Sequence, residues 1–324
     1  MNALTKVGGF AVGVAAVFGV GIAGGHVVGP VETDDPPAHA HDAAGPSESG
    51  TGHAGHGDDM TAAPAAAALP GGLQVAQDGY RLALTRRTSA AGRQSVSFTI
   101  TGPKGRPVTA YDTQHDKQLH LIAVRRDMSG FQHVHPTLAK DGRWSTNLDL
   151  TPGQWRVFAD FKATGGPALT LGQDLDVAGA YQPAPEVRTR TTTVVDGYTV
   201  RLTGALAAGK STPLTLSITK AGKPVNDLQP YLGAYGHLVA LRAGDLAYLH
   251  VHPEGEPGDG KTKPGPNVTF MATAPSVGDY RLYLDFKHGN TVRTAELALP
   301  VGSPAPSSDP TTPASDHDAT PHTH

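Results

Sequence analysis

Six histidines recur at fixed spacing in this chain. His120, His133 and His135 are followed 117 residues later by His237, His250 and His252, each set reading His-x12-His-x-His-Pro. Neutral imidazole is a borderline donor that suits Cu(II), Zn(II), Ni(II) and Co(II). Three such donors on one ion also leave a coordination position open. In a strand the two histidines of His-x-His share a face, about 6.6 Å apart, so both rings can turn toward one ion. A simple hairpin turning at 128–129 sets position 120 opposite 137. His120 then lies diagonal to His135. His133 reaches the same ion only through a bulge, or if the strand peels away at Pro136.

Three further residues join these as metal candidates. Asp160 and Asp285 hold matching places near the ends of the two copies. Each is read as a fourth ligand or as the acceptor of an imidazole N–H, the alternative being an ion pair with Arg156 or Arg281. His115 precedes the first set and has no counterpart in the second. Because only neutral imidazole ligates, affinity is expected to fall as pH drops through about 6.5.

Composition excludes other chemistries. The chain has 324 residues, no Cys and four Met, one of them Met1. Thiolate sites, disulfides and a cysteine nucleophile are thereby ruled out. Met128 sits in the turn with no Met at the matching place in the second copy, which disfavours a blue-copper centre. The net charge is −3, so no basic surface for nucleic acid is expected. There is no Gly-x-Ser-x-Gly, no His-Glu-x-x-His and no paired-carboxylate constellation. An enzyme built on a three-His centre has no general acid or base beyond Asp160 or Asp285, and no catalytic residue is assigned.

The elements that must carry these side chains are legible as a repeat. SFTITGPKGRPV matches LSITKAGKPV, HLIAV matches HLVAL, and GQWRVFADFK matches GDYRLYLDFK. Val96, Phe98 and Ile100 alternate with polar residues. Trp155, Val157, Ala159 and Phe161 form one face of a strand, with Arg156, Phe158, Asp160 and Lys162 on the other. Period-two alternation punctuated by Gly and Pro predicts antiparallel strands in a sandwich. The fold class is therefore all-β, with one sandwich at 74–182 and a second at 183–302.

The flanks read differently. Residues 8–29 carry no charge and follow Lys6, long enough as a helix to cross a membrane. They predict an N-terminal transmembrane anchor or signal segment within 1–29, which places the bulk of the chain outside the cytoplasm. If the segment is cleaved, the protein is secreted. Residues 30–73 and 303–324 are rich in Pro, Ala, Gly, Asp and Ser and include His39, His41, His53, His56, His317, His322 and His324. Both are expected to be disordered, His-containing linkers that bind metal loosely or not at all.

The stretch HDKQLHLIAVRRDMSGFQHVHP at 115–136 resembles exported bacterial proteins, actinobacterial in type, with an H-L-I-x-V strand, a D-x-S-x-F turn and a terminal H-x-H-P. His120, Asp127, Ser129, Phe131, His133, His135 and Pro136 carry the resemblance. The second copy departs from it, with Gly244-Asp245-Leu246-Ala247 in the turn and Tyr248 in place of Phe131. The resemblance implies immunoglobulin- or cupredoxin-like sandwiches and a link to copper or heavy-metal handling in the cell envelope. The combined expectation is a membrane-anchored, extracytoplasmic protein binding a divalent metal, Cu(II) first and Zn(II) second, for tolerance, storage or delivery. The alternative is an envelope scaffold or adhesion protein that carries no metal.

Overall fold

The structure, a computed structural model, describes residues 69–249 and 251–302. The apolar run at 8–29, most of the first linker and the C-terminal tail lie outside these residues. Among the described residues no helix is long and apolar enough to cross a membrane.

The first repeat runs through β1 (Ala76–Gln77), β2 (Tyr80–Leu84), β3 (Thr88–Ser89), β4 (Gly92–Thr101), β5 (Leu119–Arg125), β6 (Gln132–Val134), β7 (Thr137–Leu138), β8 (Arg143–Leu150), β9 (Gly153–Lys162) and β10 (Ala168–Val177). The second runs through β11 (Thr192–Val195), β12 (Tyr198–Thr203), β13 (Ser211–Lys220), β14 (Lys223–Pro224), β15 (His237–Arg242), β16 (Tyr248–Leu249), β17 (Val251–Pro253), β18 (Asn267–Thr273), β19 (Gly278–His288) and β20 (Thr291–Val301). The first forms a sandwich of sheets β1-β2-β4-β8-β7 and β3-β10-β9-β5-β6. The second pairs β11-β12-β13-β18-β17, with β14 alongside β13, against β16-β15-β19-β20. The described residues are thus all-β, two tandem sandwiches of immunoglobulin-like architecture.

Each sandwich has its own core, filled by the alternating residues that the sequence marks. Phe98, Trp144, Trp155, Val157 and Phe161 meet between the sheets of the first repeat. Tyr198, Leu216, Phe270, Tyr280 and Phe286 do so in the second. Alternation accounts for only half of the burial on β5, where all seven residues are buried. Leu119, Leu121 and Ala123 enter the first core. Ile122 and Val124, on the opposite face, join Met128 and Phe158 against Val239, Leu241, Leu246 and Tyr283 of the second repeat. A strand buried on both faces reads as an unbroken apolar run, which is why HLIAV and HLVAL contain no polar residue after their His.

The contact between repeats is reciprocal. Phe131 of the first stacks on Tyr283 of the second at 3.9 Å between ring centroids, and Phe158 of the first meets Tyr248 of the second at 5.9 Å. Positions 131 and 248 correspond in the repeat, as do 158 and 283, so each half of the boundary is the other turned about a local two-fold. The Tyr283 hydroxyl also donates to the Met128 carbonyl at 2.5 Å. Met128 and Leu246, each the residue after its turn's aspartate, both have positive φ, 65° and 62°, and both are buried in this seam. The methionine at the turn is therefore a packing residue.

A strap crosses the seam. Tyr248 N–H donates to Gly71 O at 2.9 Å, and the Arg156 guanidinium donates to Gly72 O at 2.7 Å and Leu73 O at 2.8 Å. Gly72 has φ +75°, and a Cβ there would stand 2.5 Å from the Phe158 ring. Only glycine fits so close an approach. These last residues of the segment read as linker are therefore bound to both repeats.

Candidate metal centre

The three histidines of the first set converge. β5 and β6 pair with Leu121 opposite Val134 and Ile122 opposite His133. That register is tighter by two than a turn centred at 128–129 gives. Continued one step, it sets His120 opposite His135, with His133 on the same face. Neither bulge nor frayed end is needed to bring in His133. The loop that sets this register is held by Asp127. Its Oδ1 accepts from Arg125 Nε at 3.0 Å and from Ser129 Oγ at 2.7 Å, and its Oδ2 from Ala184 N at 2.8 Å. Burial works against ionisation of Asp127, but the hydrogen bonds from Arg125, Ala184 and Ser129 outweigh it and hold the carboxyl well below its usual range. Gly130, with φ +69°, lets the loop pass over Trp155, which a Cβ would meet at 2.7 Å.

The ring nitrogens meet head to head. His120 Nδ1 lies 3.1 Å from His133 Nε2 and 3.3 Å from His135 Nε2, and the three atoms lie within 4.8 Å of one another. The opposite nitrogens are engaged. His120 Nε2 is 3.0 Å from Gln114 O, and His133 Nδ1 is 2.7 Å from Asp285 Oδ2. A carbonyl and a carboxylate can only accept, so each of those nitrogens carries the proton. His120 Nδ1 is then left as a lone pair facing the other two nitrogens. A proton there satisfies one pair of nitrogens, whereas a cation satisfies three. At metal–nitrogen distances of about 2.0–2.1 Å, two ligands of a tetrahedral ion lie roughly 3.3 Å apart. The two spacings from His120 match that, and the donor set fits Zn(II) or Cu(II).

The surroundings keep the rings uncharged. Burial, reinforced by the imidazoles of His133, His135 and His237, lowers His120 to about 3, with the Gln114 carbonyl opposing. Burial, then His133 and Lys117, lowers His135 to about 4. Burial likewise lowers His237 to about 4, against the bond to the Leu232 carbonyl. At neutral pH the rings of His120 and His135 are therefore already uncharged, and a metal bound there would displace no proton from them.

The second set is arranged differently from the expected second copy of the site. His237 joins the first cluster, its ring 5.3 Å from His115 and 6.3 Å from both His120 and His133. Its Nε2 meets Leu232 O at 2.9 Å, which leaves Nδ1 as the donor. His250 lies outside the described residues. His252 is in β17, its backbone paired with Met271 on β18. Among the described residues the group whose ring nitrogens lie close enough together to hold a metal ion is the one formed by His120, His133 and His135.

The carboxylates also depart from the simple repeat. Arg156 pairs with Asp174 and Arg281 with Glu296, so those arginines bond elsewhere. Asp285, opposite His237 in its own repeat, bonds to His133 of the other. Asp160, opposite His120, accepts from Thr170 Oγ1 at 3.3 Å. It lines a cavity of about 40 Å³ together with His115, His120, His133, His237 and Tyr248. A space of that size admits a water molecule or an ion. Sequence reading missed Tyr231, whose ring is 6.1 Å from His237 and 6.4 Å from His135. Burial and the nearby Asp285 push its hydroxyl up to about 12. It missed Tyr248 in the same way, raised by burial and by its bond to Asp160. A tyrosine where the first copy has Gln114 or Phe131 was the available signal.

A tandem β-sandwich protein with an imidazole cluster at the seam between its repeats is the class that fold and site define. The sequence matches the family described as a domain of unknown function, DUF8832, over residues 74–179 and 192–303, and the chain belongs to that family. No curated protein matches it. Similar solved structures include the Escherichia coli adhesin FdeC, at 16% identity over 70% of this chain and 65% of that one, TM-score 0.23. The Yersinia pseudotuberculosis adhesin InvE matches at 11% over 68% and 58%, TM-score 0.20. InvD of the same organism matches at 11% over 72% and 61%, TM-score 0.23. The chain spans about three fifths of the length of these structures. Likenesses of this size carry no inference about activity.

Proposed function

We propose that this protein binds a divalent metal ion, copper in the first place and zinc in the second, at His120, His133 and His135. The proposed role is metal tolerance, storage or delivery outside the cytoplasm, on a chain anchored in the membrane by its N-terminal apolar segment. The observation that carries the reading is the convergence of three imidazole nitrogens whose ring partners His120 Nε2 and His133 Nδ1 are already bonded outward. Such outward bonds fix the tautomer and ring orientation of metal-ligating histidines. The apolar N-terminal run and the resemblance to exported metal-handling proteins support the location and the choice of copper.

The test is elemental analysis of the full chain against its His133→Ala/His135→Ala variant, after dialysis with Cu(II) or Zn(II) and a competing chelator. The tails are common to both chains, so the difference reads the cluster. One tight equivalent fewer in the variant supports the reading. Equal metal content removes it, and a variant that differs only in stability makes the cluster a structural feature of the seam.

A further inference from the structure

We propose that Asp285 of the second repeat is a positioning residue for the metal centre of the first, so that a single centre is completed by both repeats. The inference rests on the metal reading given above and deepens it. Asp285 Oδ2 meets His133 Nδ1 at 2.7 Å, and the two side chains are each 4% exposed. Water does not compete for a bond so enclosed. The other carboxylate oxygen accepts from Thr294 Oγ1 at 2.5 Å, which fixes the plane of the group. The carboxylate accepts only, so it draws the His133 proton to Nδ1 and leaves Nε2 to face His120 Nδ1. The opposite tautomer would present an N–H where a ligand lone pair is needed. A carboxylate behind the ring also raises the basicity of the ligating nitrogen.

Asp285 does this across the seam. In its own repeat it pairs through the backbone with His237, whose Nε2 is already engaged by the Leu232 carbonyl. Its side chain serves the other repeat.

The experiment uses the full chain, with the His133 tautomer read by ¹⁵N NMR of the metal-free protein and affinity read with Zn(II) against a chelator. In the wild type His133 carries its proton on Nδ1. In Asp285→Ala the tautomer shifts toward Nε2–H and Zn(II) affinity falls by about 10–100-fold. Asp285→Asn, which keeps an accepting oxygen and the size of the side chain, recovers most of both. Tyr283→Phe removes a different bond across the seam and leaves both near wild type. An unchanged His133 tautomer and affinity in Asp285→Ala overturns the proposal, as does an equal loss in Tyr283→Phe, which would assign the effect to docking. A tautomer shift in a chain whose cluster takes up no Zn(II) keeps the positioning role and removes the metal reading instead.

Discussion

His133 and Asp285 stand 152 residues apart in the chain and 2.7 Å apart in space. The bond joins a candidate ligand of one repeat to a carboxylate of the other. The same seam buries Ile122, Val124 and Phe158 against Val239, Leu241 and Tyr283, so packing and candidate chemistry share one surface.

His120 Nδ1 is the nitrogen that His133 and His135 both face, at 3.1 and 3.3 Å, whereas His237 stands farther back. His120→Ala is expected to lower Zn(II) or Cu(II) affinity at least about tenfold more than His237→Ala, since it removes a ligand and orphans the geometry of two others. Chelator competition on the two variants reads this. Equal losses would place His237 among the ligands.

The depressed histidines set the pH behaviour. In the unfolded chain His120, His135 and His237 titrate near about 6.5; folded, they titrate at about 3, 4 and 4. Between those limits the unfolded state binds more protons, so stability of the metal-free protein falls as pH drops and is retained above about 6.5. Proton competition at His120 and His135 begins near pH 4, so these two donors stay available well below the pH expected from ordinary histidines. Thermal melts and metal titrations between pH 7 and 4 measure both. A metal-free protein whose stability does not fall between about pH 6.5 and about pH 4 would contradict the enclosure of these rings.

Phe158 is wholly buried in the seam. Phe158→Ala should destabilise the protein by roughly 3–5 kcal/mol through lost burial and a residual cavity, and should free the strap that Gly72 lays over the ring. Denaturant unfolding checks the first, and faster amide exchange at Gly72 the second. A change below about 1 kcal/mol would mean that the repeats do not depend on this contact.

Asp127 and Arg125 form an ion pair with each side chain 10% exposed, and the pair also ties down the chain at Gln182 and Ala184. Asp127→Ala leaves the guanidinium without its counter-charge and should cost on the order of 3 kcal/mol. It should also weaken metal binding, because the turn sets the register of His133. Native stability with weakened binding would limit the aspartate to loop placement.

The fold was readable because period-two alternation reports the core inside each sandwich. Val157, Ala159 and Phe161 take the places their spacing assigns. The seam was written less openly. Phe158 lies on the face that alternation marks as outer, and only the missing polar residues of HLIAV and HLVAL signal a cover on that side. The grouping of His120, His133 and His135 was legible from their spacing, and its exact pairing was not. Register depends on a turn whose Met128 takes a left-handed conformation, which a count of residues does not reveal. Asp285 was singled out by its matching place, yet its bond crosses to the other copy, and a repeat pattern alone assigns each residue to its own half.

The reciprocal pairs Phe131–Tyr283 and Phe158–Tyr248 are the contacts that a two-fold axis makes between identical subunits. One chain here does the work of a fused homodimer. Fusion releases the halves from carrying the same sequence. Leu232 has come to stand where the first copy has His115, both at positive φ, 56° and 47°. At that place the cluster holds one imidazole, His115, and its two-fold mate is an aliphatic side chain. A symmetric dimer could not divide the labour in that way, because every substitution would appear on both sides of the axis.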